Sequence, residues 1–145
     1  MTEESGIGTL SEKSLHAALK DWYALPGDRF EVEVDGFVID IVRGDLLIEL
    51  QTGNFAALKR KLVSLTERHP VRLVYPVMQT KWIIRLESGG RPISHRRSPK
   101  RGRVEHLFAE LVRIPDLITR STFSLEVLLV HAEQVLINDG QGSWR

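Results

Sequence analysis

GFVIDIVRGDLLIELQ, residues Gly36 to Gln51, decides how the chain is read. Apolar residues fill it on both sides of Arg43-Gly44-Asp45, a tight-turn signal that folds a strand carrying Asp40 back against a strand carrying Glu49. Side chains alternate along a strand, so Leu47, Glu49 and Gln51 share one side while Ile48 and Leu50 take the other. Apolar neighbours on both sides imply a sheet covered on both faces, where a carboxylate needs a compensating partner. Two carboxylates and an amide at adjacent strand tips suit a hard divalent cation.

Outward from this stretch the pattern is regular. Thr9 or Ser11 caps an expected helix with Leu15, Ala18, Leu19 and Trp22 at spacings of three and four, ended by Pro26-Gly27-Asp28. Phe30 to Asp35 alternates strictly, and Asp35-Gly36 is a hairpin signal, which gives a three-stranded antiparallel meander. Thr52-Gly53-Asn54 breaks the sheet and caps a second helix running to about Arg68, with Phe55, Leu58, Leu62 and Leu65 on its apolar face. Val71 to Tyr75 and Lys81 to Glu87 read as two further strands. A third helix is expected over about Val104 to Val112, with Val104, Leu107, Phe108 and Leu111 as its stripe and Pro115 as its stop. Leu125 to Val130 is another strand, which Gln134 to Ile137 continues or pairs with. Trp22 and Trp82 fall on apolar stripes and are expected in the core.

The spacing Asp-x8-Glu-x-Gln, between two helices, resembles the core of the PD-(D/E)xK nuclease superfamily, particularly its restriction-endonuclease-like and Holliday-junction-resolvase-like branches. The resemblance covers roughly residues 10 to 76, and Gln51 stands where that superfamily usually has lysine. It implies an α/β fold with a restriction-endonuclease-like core (helix, three-stranded antiparallel meander, helix, strand), here extended by further strands and a third helix in a mixed sheet. It implies Asp40 and Glu49 as ligands of Mg2+ or Mn2+, and Glu12 on the first helix as a third metal carboxylate. Gln51 then orients the attacking water, although it lacks the lysine's charge. Lys59 on the second helix is the candidate to supply that charge, with Lys61 competing for the role. Other readings of the same residues are solvated strand ends, a first-turn acid favoured by the helix dipole and a solvated helix face.

Arg91 to Arg103, RPISHRRSPKRGR, concentrates cations among Ser, Pro and Gly, and is expected to be an exposed loop. Arg91, Arg96, Arg97, Lys100, Arg101 and Arg103 are candidate phosphate contacts, with a basic linker or an acidic protein partner as the other reading. The whole chain carries a formal charge of only +1, so the signal lies in the clustering.

At 145 residues and 42% apolar content, one domain is expected: a leader over residues 1–9, then a single nuclease-like domain over 10–145, followed in the natural protein or its relatives by a further C-terminal module. Cysteine is absent, which excludes disulfides and thiolate sites and fits a cytoplasmic protein. No stretch approaches a membrane span. The five histidines lack zinc spacing, Gly6-Ile7-Gly8 lacks a dinucleotide fingerprint, and no serine sits in a nucleophile elbow. The expected function is metal-dependent nucleic-acid binding, with DNA as the expected partner, a homodimer as one assembly, and phosphodiester hydrolysis as the reaction. The alternative is a catalytically inactive module of the same fold that binds nucleic acid or a partner protein.

Overall fold

The computed structural model describes residues 9–142 and residue 144, with side chains from residue 15 onward. Helix α1 (Thr9–Tyr23) leads into strands β1 (Arg29–Val34), β2 (Phe37–Arg43) and β3 (Leu46–Leu50). Helix α2 (Phe55–Thr66) and strand β4 (Val71–Leu86) follow, then β5 (Pro92–Arg97), the short helices α3 (His106–Leu111) and α4 (Pro115–Ile118), and β6 (Phe123–Ile137). The result is an α/β fold on a mixed six-stranded sheet.

The two hairpin turns form as the sequence indicates. Asp35 and Gly36 both take positive φ, 51° and 83°, as a twist-matched two-residue turn requires, and Gly44 does so at 59°. These turns make β1, β2 and β3 antiparallel neighbours. Helix α2 then returns the chain so that β3 and β4 run parallel, pairing Leu47 with Val71 and Leu50 with Val74.

β4 is one strand of 16 residues, where the sequence reading had two. Pro76 lies inside it, and the topology explains why it does not break the strand. β6 pairs with β4 along its whole length, while β3 and then β5 occupy the opposite edge in succession. Val74 accepts from Gln51 on that opposite edge, and Met78 accepts there from Gly102. By alternation, Pro76 faces the same edge, in the interval between β3 and the next partner, so its missing N–H costs no ladder bond. A register shift between Met78 and Thr80 then turns β4 toward β5.

Burial divides along the two sides of the sheet. Leu19 of α1 closes over Ile41, Ile48, Leu50 and Val74. On the other side, Phe55, Leu62 and Leu65 of α2 join Leu107, Ile114 and Leu117 over Ile39, Leu47, Leu73 and Val77. Helix α1 packs through Leu15, Leu19 and Tyr23, one apolar residue every four, so Trp22 falls off the stripe and is 72% exposed. Trp82 is also exposed, against His95 on the outer part of β4. Both tryptophans thus lie outside the core. Phe108 and Val104 are exposed as well, because the third helix starts at His106 and is short enough to bury only Leu107 fully.

Two other local expectations change. Asn54 precedes α2 but makes no side-chain cap; Glu110 of α3 accepts the Phe55 N–H at 2.8 Å instead. The segment Arg91 to Arg103 is not a free loop. Its first half is strand β5, and Ser98 and Gly102 donate to the carbonyls of Lys81 and Met78, which fastens the second half along β4. At the far end, Asn138 and Asp139 accept from the backbone N–H groups of Gly140 and Gln141, and Asn138 bridges Trp144 in antiparallel fashion.

Candidate functional site

The antiparallel ladder between β2 and β3 ends at Ile41 and Ile48, one pair short of Asp40 and Glu49. Beyond it, side chains replace backbone bonds. The Asp40 N–H donates to Glu49 Oε1 at 3.1 Å, and the Leu50 N–H donates to Asp40 Oδ2 at 2.9 Å. Where the strands part, each carboxylate is therefore tied to the backbone of the other's strand.

A cation-bearing side chain reaches the pair from either side of the sheet. From α1, His16 Nε2 lies 3.2 Å from Asp40 Oδ2. From α2, Lys61 Nζ lies 2.9 Å from Glu49 Oε1 and also donates to the Val38 carbonyl at 2.5 Å. Only 6% of the Glu49 side chain and 15% of the Asp40 side chain are exposed. All these bonds fall on Oδ2 of Asp40 and Oε1 of Glu49, leaving the second oxygen of each carboxylate unused among the described residues.

Helix α1 is held in register by a separate brace. Arg43 makes a two-pronged pair with Asp28, both bonds at 2.9 Å, and donates to the Tyr23 carbonyl at the helix end. The Asp28 carboxylate is 1% exposed, and the Arg43 hydrogen bonds hold its pKa below the usual value against the effect of burial. Tyr23 bonds Glu126 and accepts from Arg72, anchoring α1 to β4 and β6.

The electrostatics of the pair are asymmetric. Burial pushes the Glu49 carboxyl above its ordinary value, and the nearby Asp40 charge adds to this, outweighing Lys61 and the Asp40 N–H. Burial acts in the same direction on Asp40, but the hydrogen bonds from His16 and Leu50 overcome it and hold that carboxyl low. His16 is raised above 6.5, first by its hydrogen bond to Asp40, with burial opposing. For a group raised on folding, the linked stability is fully present below the unfolded pKa and is lost as pH rises through the folded one. The His16–Asp40 contact accordingly strengthens the fold most below pH 6.5 while Asp40 stays ionised, fading above the folded His16 value and again in acid as Asp40 protonates. In an NMR titration, the His16 ring is expected to titrate above 6.5 and to fall back in Asp40→Asn; identical curves would show the two groups to be uncoupled.

Other candidates are placed as follows. Gln51 donates to the Gly53 carbonyl at 2.7 Å, which fixes its amide nitrogen and leaves its oxygen to accept. Lys59 does not approach the carboxylates: it is exposed and borders a shallow hollow with Arg60 and Glu67. Lys61, two residues on, is turned about 200° around the helix and points to the sheet. Its position three after Leu58 and four before Leu65 was the available signal. The role of His16 was missed, although it lies three residues before Leu19 on the sheet-facing side. The Glu12 side chain lies outside the described residues.

The basic candidates separate. Arg97, Arg101 and Arg103 border an open cleft of about 640 Å³ beside β4, whereas Arg91, Arg96 and Lys100 are exposed and do not line it. Among the described residues, no three His, Asp or Glu side chains are placed together as a metal set, and no helix is long and apolar enough to cross a membrane. Asp40 and Glu49 are two hard oxygen donors, and among the described residues no third acidic or imidazole ligand joins them as a metal set.

Comparison with known proteins gives two matches. The sequence model of a family described as a domain of unknown function (DUF8091) matches residues 13–145. An uncharacterized protein of Treponema pallidum (strain Nichols) is 36% identical over 140 residues, which is 96% of this chain. The chain spans 56% of that protein's length. No solved structure matches.

Proposed function

Since the chain belongs to the DUF8091 family, whose description leaves the activity open, we propose from its geometry that it is a metal-dependent nucleic-acid-binding domain that hydrolyses phosphodiesters. Its core is of the restriction-endonuclease-like kind. The observation that carries this reading is the convergence of Asp40, Glu49 and Lys61 where β2 and β3 part. The element order supports it: helix, three-stranded meander, helix, then a strand parallel to β3.

In this reading Asp40 and Glu49, with Glu12, hold Mg2+ or Mn2+. A bound ion supplies Lewis-acid stabilisation of charge on the phosphoryl oxygens and makes water a better nucleophile at neutral pH. Lys61, supplied from α2, takes the place of the motif lysine and sets a positive charge beside Glu49. The free oxygen of Gln51 accepts a hydrogen bond from the attacking water. His16 holds Asp40 ionised through its hydrogen bond. The basic residues along β4 and β5 grip the phosphate backbone, with DNA the expected polymer.

A second reading is a module that binds nucleic acid without cutting it, favoured by the observation that Lys61 already compensates the buried Glu49. Labelled DNA incubated with Mg2+ or Mn2+, and in parallel with EDTA, separates the two. Cleavage with the ions and none with EDTA is expected. Salt-dependent binding with no cleavage under any cation would favour the binder, and no salt-dependent affinity would end both.

A further inference from the structure

The cleft beside β4 is assembled from three parts of the chain. Thr80 and Gln79 lie at the register shift of β4, His131 comes from β6, and Arg97, Arg101 and Arg103 come from β5 and the segment after it. Strand alternation sorts the arginines: Arg96 and Arg97 are neighbours on β5 and point to opposite sides, so only Arg97 enters the cleft, within 3.5 Å of Thr80. Gly102 fixes the other wall. Its N–H donates to the Met78 carbonyl at 2.6 Å, and a Cβ there would stand 3.1 Å from the Met78 nitrogen and 3.3 Å from Val77. The close approach permitted by glycine holds Arg101 and Arg103 on either side of the fastened residue.

The lining is rich in donors, with three guanidinium groups, an amide, a hydroxyl and an imidazole against one carboxylate, Glu105. Planar guanidinium forks match phosphate oxygens, and the open shape suits a polymer that passes through more than a small molecule that is enclosed. Glu49 pairs with Leu73, and Gln79 is six residues further along β4, so the cleft is roughly 20 Å from the carboxylates at about 3.3 Å per residue. Val77 at its floor belongs to the α2 side of the sheet, the side that Glu49 shares.

Resting on the nuclease reading, we infer that this cleft is a discrete phosphate-binding subsite for the backbone of a DNA duplex, engaged about six base-pair steps from the carboxylate pair at about 3.4 Å per step. The subsite makes the domain a reader of duplex length: a substrate too short to reach the cleft loses those contacts.

The test is fluorescence anisotropy in EDTA with a labelled duplex of about 20 base pairs, longer than the span implied by the helical rise. The full chain is compared with Arg97→Ala/Arg101→Ala/Arg103→Ala and with Arg91→Ala/Arg96→Ala/Lys100→Ala, which removes the same charge outside the cleft. All six positions are exposed, so both variants are expected to keep the wild-type melting profile. The cleft variant is expected to bind this duplex at least about tenfold more weakly, with the slope of log affinity against log salt reduced by about three, and the variant outside the cleft to lose clearly less. Equal losses in the two variants would overturn the subsite while leaving DNA binding intact. Failure of the wild type to bind the duplex at low salt would overturn the nuclease reading itself.

Discussion

Asp40→Asn and Glu49→Gln are each expected to lower metal-dependent cleavage on the order of a thousandfold, about 4 kcal/mol, because each removes one of the two hard donors while preserving shape. DNA affinity in EDTA should change little, since the proposed phosphate cleft lies further along β4. Lys61→Met should abolish cleavage to a similar degree and also cost roughly 3 kcal/mol of stability, because it leaves the buried Glu49 without its cation. Protonation of Glu49, whose carboxyl is already raised, limits that cost. The double variant Glu49→Leu/Lys61→Met should recover most of the stability and none of the activity, since replacing a buried pair by apolar groups is often neutral. Chemical denaturation alongside the nuclease assay separates the two effects. Cleavage that persists in purified Asp40→Asn and Glu49→Gln would exclude carboxylate-held metal as the catalyst.

Phe55→Ala is expected to remove about 3–5 kcal/mol from a total stability of about 5–15 kcal/mol. Phe55 is fully buried at the start of α2 and meets the Tyr75 ring edge-on, with centroids 5.5 Å apart. Its N–H is the group that Glu110 caps, so one residue joins α2, α3 and β4. Glu110→Ala, which loses the cap but keeps the packing, should cost only about 1 kcal/mol. Urea titration of both variants checks the ranking, and comparable losses would mean that the cap, rather than the ring, holds the layer together.

The meander, the first two helices and the two-sided burial were legible in the sequence because hairpin chemistry and side-chain alternation are local properties. Asp40 and Glu49 were found for the same reason, from a turn and a two-residue period. Lys61 and His16 were harder to see: each lies beside an apolar stripe, and only the tertiary contact shows which charged neighbour turns inward. The continuity of β4 through Pro76 was not legible, because it depends on the β3 pairing ending at Val74, before Pro76 on that edge. The basic segment was read as loose because its composition is that of a loop, while its order comes from two backbone bonds supplied by β4. Trp22 was assigned to the core by hydrophobicity, yet α1 needs only three side chains to cover its side of the sheet.

Although β4 is geometrically continuous, its two ends differ in how tightly the surrounding structure holds them. From Val71 to Val77 nearly every side chain is sealed between helices, whereas from Met78 to Leu86 none is fully covered. Breathing of the outer end, together with β5 and the tail of β6, exposes little apolar surface and so requires less free energy than melting the inner end. Amide protons along this one strand should therefore divide into a slowly exchanging group and a rapidly exchanging group. On the proposed function, the phosphate cleft would then sit on the yielding part of the molecule, free to adjust to a bent or uneven duplex, while the carboxylate pair stays on rigid ground.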